Sequence, residues 1–180
     1  GTATGPASAS GRTKLAGEKA IAGSGLQRYL IVRTSWLYGP GGNNFVKTMI
    51  RLAKEREKIR IVSDQKGCPT WTGDLADAMV TVVGNIAKEP EKINWGTYHY
   101  CGEGITTWCD FSRAIIDKAG QRECLKIKNI EPIPTSEYPA PAKRPMWSAM
   151  DCSKLNKIFG IRNRNWEQGL EEMISELYES

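Results

Sequence analysis

The chain has 180 residues with 40% hydrophobic composition, enough for one well-buried core and too few for two domains of ordinary size. Charged residues make up 25% and aromatics are spread throughout, which excludes a disordered chain. Lys and Arg outnumber Asp and Glu by 25 to 20, but from Arg51 to Arg60 the basic residues alternate with Glu55 and Glu57 as on a solvated helix face, so nucleic acid is not an expected partner.

No stretch is long and apolar enough to span a membrane, and Gly1 to Gly11 is small and polar without the basic-then-apolar pattern of a secretory signal. The expectation is a soluble, cytoplasmic protein with no membrane partner. Cys68, Cys101, Cys109, Cys124 and Cys152 are odd in number, never sit as C-x-x-C and suit reduced thiols. With His99 the single histidine, no metal site is expected.

In chain order, Gly11 to Ala22 reads as a helix stopped by Gly23 and Gly25, and the continuous apolar run Tyr29 to Thr34 as a strand buried on both faces of a parallel sheet. A Gly-rich turn, Gly39 to Gly42, leads to Asn43 or Asn44 as N-cap of a helix with Phe45, Met49, Leu52 and Ala53 inward. Ile59 to Val62 is a short strand, and Thr72 caps a helix carrying Leu75, Ala78, Met79, Val82, Val83 and Ile86. Gly96 to Cys101 is a further strand, followed by a helix from Thr107 to Gly120 with Trp108, Phe111, Ile115 and Ile116 inward. Five prolines from Pro132 to Pro145 predict a mostly irregular loop. Helices from Ser153 to Phe159, stopped by Gly160, and from Trp166 onward close the chain. Strand, turn and helix alternate in α/β order.

Little in this pattern is openly chemical. The turn Gly39-Pro40-Gly41-Gly42 lies between a strand and a helix N-terminus, where backbone N–H groups can hold an anion; it reads equally as a tight turn that needs glycine. Asp64, Asp74, Asp77 and Asp110 fall at strand ends or first helical turns, where carboxylates complement the helix dipole, and His99 reads as structural. The residues alone lead to an α/β domain with an anion site between Gly39 and Asn44 as one reading.

A set of collinear segments carries the reading further: Gly11-Arg12-Thr13-Lys14-Leu15-Ala16-Gly17-Glu18, Arg33 to Gly39 (RTSWLYG), Asn43 to Val46 (NNFV), Asp64 to Thr70 (DQKGCPT) and Arg144 to Leu155 (RPMWSAMDCSKL). In order and across nearly the whole chain, they resemble the extended short-chain dehydrogenase/reductases, and among them the dTDP-4-dehydrorhamnose reductases. The resemblance implies the C-terminal part of a Rossmann-type fold with its substrate-binding region. Residues 1–39 would be a remnant of the dinucleotide-binding domain and residues 40–180 mainly the substrate-binding region. The family's opening strand, G-x-x-G-x-x-G and helix do not occur here.

The resemblance further implies that Lys14 is catalytic and cofactor-binding, holding the nicotinamide ribose of NADPH or NADH and tuning the acid that protonates the carbonyl oxygen. The family's Y-x-x-x-K motif reads Ser10-Gly11-Arg12-Thr13-Lys14, with Ser10 at the tyrosine position. A serine hydroxyl is a far weaker acid with a shorter reach, so this chain alone is expected to be inactive and not to bind the cofactor. By the same resemblance Trp36 packs against the deoxysugar of a dTDP-sugar nucleotide, and Asn43, Asn44, Pro69, Thr70 and Arg144 line the substrate site, with Arg144 on the diphosphate. Trp36 and Arg144 should then share one cleft. Each position also has a plain structural reading: Trp36 as core, Asn43-Asn44 as cap, Pro69-Thr70 as turn, Arg144 as surface charge. The helix from Gly11 and the strand from Tyr29 are expected to face water or a second copy, in a homo-oligomer. Two alternatives stand beside this: a non-catalytic regulatory subunit of the methionine adenosyltransferase type, or another nucleotide-sugar reductase or epimerase.

Overall fold

The computed structural model describes residues 5, 8–139 and 144–179. In chain order the elements are α1 (Ala9–Gly23), β1 (Leu30–Arg33), β2 (Leu37–Tyr38), α2 (Phe45–Glu55), β3 (Lys58–Val62), β4 (Lys66–Gly67), β5 (Thr70–Trp71) and α3 (Thr72–Lys88). They continue with β6 (Gly96–His99), β7 (Thr106–Thr107), α4 (Trp108–Gly120), β8 (Asn129–Ile133), α5 (Ser153–Phe159) and α6 (Trp166–Glu179). The fold is mixed α/β. Its strands form four two-stranded sheets: β1–β6, β2–β5 and β3–β8 are parallel, and β4–β7 is antiparallel.

Local chemistry explains most element ends. The Asn44 side chain accepts a hydrogen bond from Lys47 N at 3.1 Å and starts α2, and Thr107 does the same for α4 by accepting from Asp110 N at 3.0 Å. Gly160, at φ 67°, ends α5 in the left-handed conformation that glycine adopts without a Cβ clash. Thr72 does not cap α3 as expected. It is the first helical residue, because extended β5 runs directly into the helix, and Trp71 holds the cap position without a side-chain bond.

Two apolar clusters hold the molecule together. The larger joins α2, α4 and α6 around Met49, Ile50, Phe111, Ile115, Leu170 and Met173. The smaller packs α3, β6 and α5 through Ala78, Val82, Tyr98, Leu155 and Phe159. Two expectations are corrected here and a third is refined. The strand β1 is half-buried along its length, not enclosed on both faces: Leu30 and Val32 pack on the smaller cluster, while the alternate face carries Arg33, whose partner helix α1 buries no residue. The proline-rich stretch is mostly irregular among the described residues, as expected, but it opens on the end of a strand: Asn129 to Ile133 runs parallel to β3 with Pro132 opposite Ile61, at a strand whose other edge is unpaired among the described residues. Pro141 lies outside the described residues. The basic segment is not one helix face either: Arg51 pairs with Glu55 one turn away on α2 at 3.1 Å, but Lys58 and Arg60 are on β3.

No residue of α1 is buried. Arg33 fastens it to β1: its Nε donates to Glu18 at 2.9 Å, and its guanidinium makes a second bond to the same carboxylate.

Candidate functional site

The feature best suited to a ligand is a cleft of about 760 Å³ between α2, β3 and α4, closed at one end by the 3₁₀ turn Thr135–Glu137 and by Arg144. That is the size at which small-molecule sites are found. Phe45, Met49, Leu52, Ile59, Ile61 and Trp108 supply apolar walls, while Arg56, Lys58, Arg60 and Arg144 supply cations. Lys58 and Arg60 are bound by Glu131, and Arg60 also by Glu137. Arg144 is exposed, and no ion pair to it or to Arg56 is found among the described residues. The cleft thus offers flat apolar surface beside uncompensated positive charge, a pairing that suits an aromatic ring joined to an anion.

The polar end is ordered by Asp64. Its carboxylate accepts from Thr135 N at 2.9 Å and from Thr135 Oγ1 at 2.6 Å, and those bonds hold its pKa below the ordinary carboxylate range. Gln65 donates to the same Thr135 hydroxyl at 3.0 Å. Backbone bonds from Lys66 N to Met146 O at 2.9 Å and from Ser148 N to Lys66 O at 2.8 Å then lay the segment after Arg144 along the Asp64 to Thr70 segment. Two stretches far apart in sequence are brought to one rim in this way.

Trp36 is the one non-glycine residue with positive φ among the described residues, at 48°. Such a conformation costs an L-residue about 1–2 kcal/mol and persists only where neighbours hold it. They do: Thr70 N donates to Trp36 O at 3.1 Å, and Thr70 Oγ1 donates to Ser35 O at 2.7 Å. The constraint sets the Trp36 indole flat on Trp108, centroids 3.5 Å apart and planes 9° off parallel, with Phe45 on Trp108 at 4.4 Å. Trp36 therefore does not line the cleft itself. It stands one ring behind the wall, on Trp108, so the expectation that Trp36 and Arg144 line one cleft is not met: Trp108 takes that place beside Arg144.

Gly67 makes that stack possible. A Cβ there would lie 2.4 Å from Cε2 of Trp36, closer than any real contact. Gly67→Ala is expected to push the indole off Trp108 at a cost of about 1–3 kcal/mol, the usual range for overpacking. Near-ultraviolet circular dichroism of the coupled indoles, with urea unfolding, checks it; an unchanged spectrum and midpoint would refute the dependence.

The remaining sequence-predicted positions fall elsewhere. Ser10 and Lys14 are exposed on α1, no residue of which lines the cleft. Asn43 is exposed; Asn44 caps α2 and donates to Gly39 O at 2.6 Å. That bond, with Thr72 packed against Gly39 where a Cβ would lie 2.1 Å from its hydroxyl, supports the tight-turn reading of Gly39 to Gly42. Pro69 and Thr70 are fully buried, and the Thr70 hydroxyl is spent on the backbone of Ser35. Reading the sequence did not single out Arg56, Arg60 or Thr135. Its strongest available signal was the alternation in Lys58-Ile59-Arg60-Ile61, a strand pattern with one charged edge. No group of acidic, histidine or cysteine side chains able to hold a metal occurs among the described residues.

Residues 2–179 match the family described as the RmlD substrate binding domain. The chain belongs to that family. Over 177 residues it is 40% identical to the dTDP-4-dehydrorhamnose reductase of Shigella flexneri, covering 98% of this chain and 58% of that protein. The crystal structure of the Bacillus anthracis str. Ames dTDP-4-dehydrorhamnose reductase, a complex with NADP, superposes with a TM-score of 0.84 at 39% identity over 97% of this chain and 58% of that one. The Clostridium acetobutylicum ATCC 824 dTDP-4-dehydrorhamnose reductase gives 0.83 at 40%, over 98% and 58%. The chain thus spans a little over half the length of these relatives. A dTDP-glucose 4,6-dehydratase from Bacillus anthracis, at 19% identity and a TM-score of 0.72, shares the fold.

Proposed function

We propose that this chain forms the sugar-nucleotide-binding part of an NAD(P)H-dependent dTDP-4-dehydrorhamnose reductase, which converts dTDP-4-dehydro-L-rhamnose to dTDP-L-rhamnose. The observation that carries the reading is the cleft that joins stacked aromatics to an exposed guanidinium. In it the base lies against Phe45 and Trp108, the diphosphate meets Arg144 and Arg56, and the deoxysugar lies toward the Trp36 end. Asn43 and Asn44, at the start of α2, and buried Pro69 with Thr70, which holds the Trp36 backbone, act by shaping that end. Residues 1–39 belong with the cofactor half of the reductase and residues 40–180 with the substrate half. A reductase so built works in the cytoplasm.

NADPH or NADH, when bound, supplies the hydride. Of the residues that contact it in the family motif, Lys14 fits: its ammonium is exposed, with no ion pair among the described residues. Ser10 does not fit the part of a phenol, being too weak an acid and too short, and no proton-transfer step is assigned to it. The regulatory-subunit alternative is not favoured, because the matched relatives are reductases with which this chain shares about two residues in five.

Calorimetric titration of the chain with dTDP-rhamnose tests the proposal. Binding is expected, with Arg144→Ala weakening it about ten- to a hundredfold through the loss of charge-assisted bonds to the diphosphate, and more so at low salt. Absence of binding, or an Arg144→Ala variant that binds as tightly as the parent, would sink it.

A further inference from the structure

Three of the five free thiols, far apart in sequence, meet in space. Cys68 lies between β4 and β5, Cys101 just beyond β6, and Cys152 at the cap position of α5. The sulfurs of Cys101 and Cys152 are 3.6 Å apart across 51 residues of chain, and both face the Met150 carbonyl at 3.8 Å. Cys68 lines one cleft beside them. Cys68 and Cys101 are buried, Cys152 is half-buried, and all three line a surface cleft of about 540 Å³ that has no lining residue in common with the aromatic cleft. A small oxidant can reach the pair from that side.

We infer that Cys101 and Cys152 form a reversible disulfide when the protein meets a peroxide, so that this second cleft is a thiol modification site. The sulfurs need to approach by about 1.5 Å to reach bonding distance, within what side-chain rotation supplies. The sulfur of Cys152, the more accessible of the two, attacks one oxygen of hydrogen peroxide as a thiolate. The O–O bond breaks, hydroxide leaves and takes a proton, and a sulfenic acid remains. The Cys101 thiolate then attacks that sulfur and expels the second hydroxide, which also becomes water. Two thiols and one peroxide give one disulfide and two waters: the sulfurs lose two electrons and the peroxide oxygens gain them.

Neither Cys101 nor Cys152 is activated. Its bond with Cys152 lowers the Cys101 pKa, but the neighbouring Cys68 thiol and burial outweigh that and push it up to about 11; Cys152 is pushed up by its bond with Cys101 and by burial. The reaction is therefore slow, and its extent is the quantity to measure. The product pins the end of β6 to the start of α5, so oxidation should also raise the unfolding midpoint.

The test uses the full 180-residue chain with Cys124→Ser, which removes an exposed thiol outside the cluster and so prevents linkage between molecules. The protein is treated with excess hydrogen peroxide at pH 8, alkylated, and digested without reduction after aromatic residues, which separates Cys101 from Cys109. The expected result is a linked Cys101–Cys152 peptide as the main crosslink, two alkylation sites lost per chain, and a raised unfolding midpoint that dithiothreitol returns to its starting value. Retention of all thiols in folded protein, a Cys68–Cys101 link in its place, or irreversible over-oxidation of Cys152 would each overturn the inference.

Discussion

Phe111→Ala is expected to destabilise the protein by about 3–5 kcal/mol, the cost of emptying a large aromatic site in a closed core. The ring is 1% exposed and is the common neighbour of the aromatic cluster. Its centroid lies 5.5 Å from Tyr38, 5.8 Å from Phe45, 6.4 Å from Trp36 and 5.5 Å from Trp166. These rings come from three separate segments, so no single movement refills the void. Since whole domains are stable by about 5–15 kcal/mol, the loss takes a large share of the total. Urea unfolding followed by circular dichroism gives the number. Trp108 and Phe45 both lean on Phe111, so sugar-nucleotide affinity should fall in the same variant even under conditions where it remains folded. A loss below about 1 kcal/mol would mean that the cluster is far less tightly packed than its geometry indicates.

Arg164→Ala should have the next largest effect, and one that depends on pH. Asp74, at the start of α3, is 7% exposed, and its Oδ1 receives Nη1 of Arg164 at 3.0 Å, while Nη2 of the same guanidinium reaches Glu172 at 2.5 Å. Burial raises the Asp74 pKa and Arg164 opposes that rise. Removing one member of a buried pair costs about 3–5 kcal/mol, and because Arg164 is 38% exposed and water screens part of the interaction, about 2–3 kcal/mol is expected here.

A carboxyl whose folded pKa lies above its unfolded value binds more protons when folded, so its contribution to stability falls as pH rises from the unfolded value through the folded one. Without Arg164 that window widens upward. The variant should therefore lose most stability at pH 8 and recover part of it toward pH 5, and Asp74→Asn in the same background should flatten the dependence. Equal losses at the two pH values would show that the guanidinium acts through packing on Trp71, whose ring lies 6.0 Å away, and not through the carboxylate.

The helices were legible because their signals are local. Asn44, Thr107 and Gly160 act within one turn of where they stand, and the apolar spacing in Trp166 to Leu177 marks one face whatever lies opposite it. Strand β8 was not legible, because Pro132 argues against a strand until β3 is placed beside it. The cleft was legible in part. The resemblance pointed to Trp36 and Arg144, but it could not tell that the indole reaches the cleft only through Trp108, nor that Arg60 leaves the helix register and turns to the same wall.

The amino-acid sequence by itself determined the α/β order, most helix limits and, through its ordered motifs, membership of the RmlD substrate-binding-domain family. Which residues share a surface was decided by the tertiary structure alone: Trp36 against Gly67 and Trp108, Asp64 with Thr135, Cys101 beside Cys152. The physical reason is one of range. Capping and periodicity are set by bonds a few residues long, while these contacts close loops of about 30 to 70 residues, and which loops close depends on the packing of the whole core.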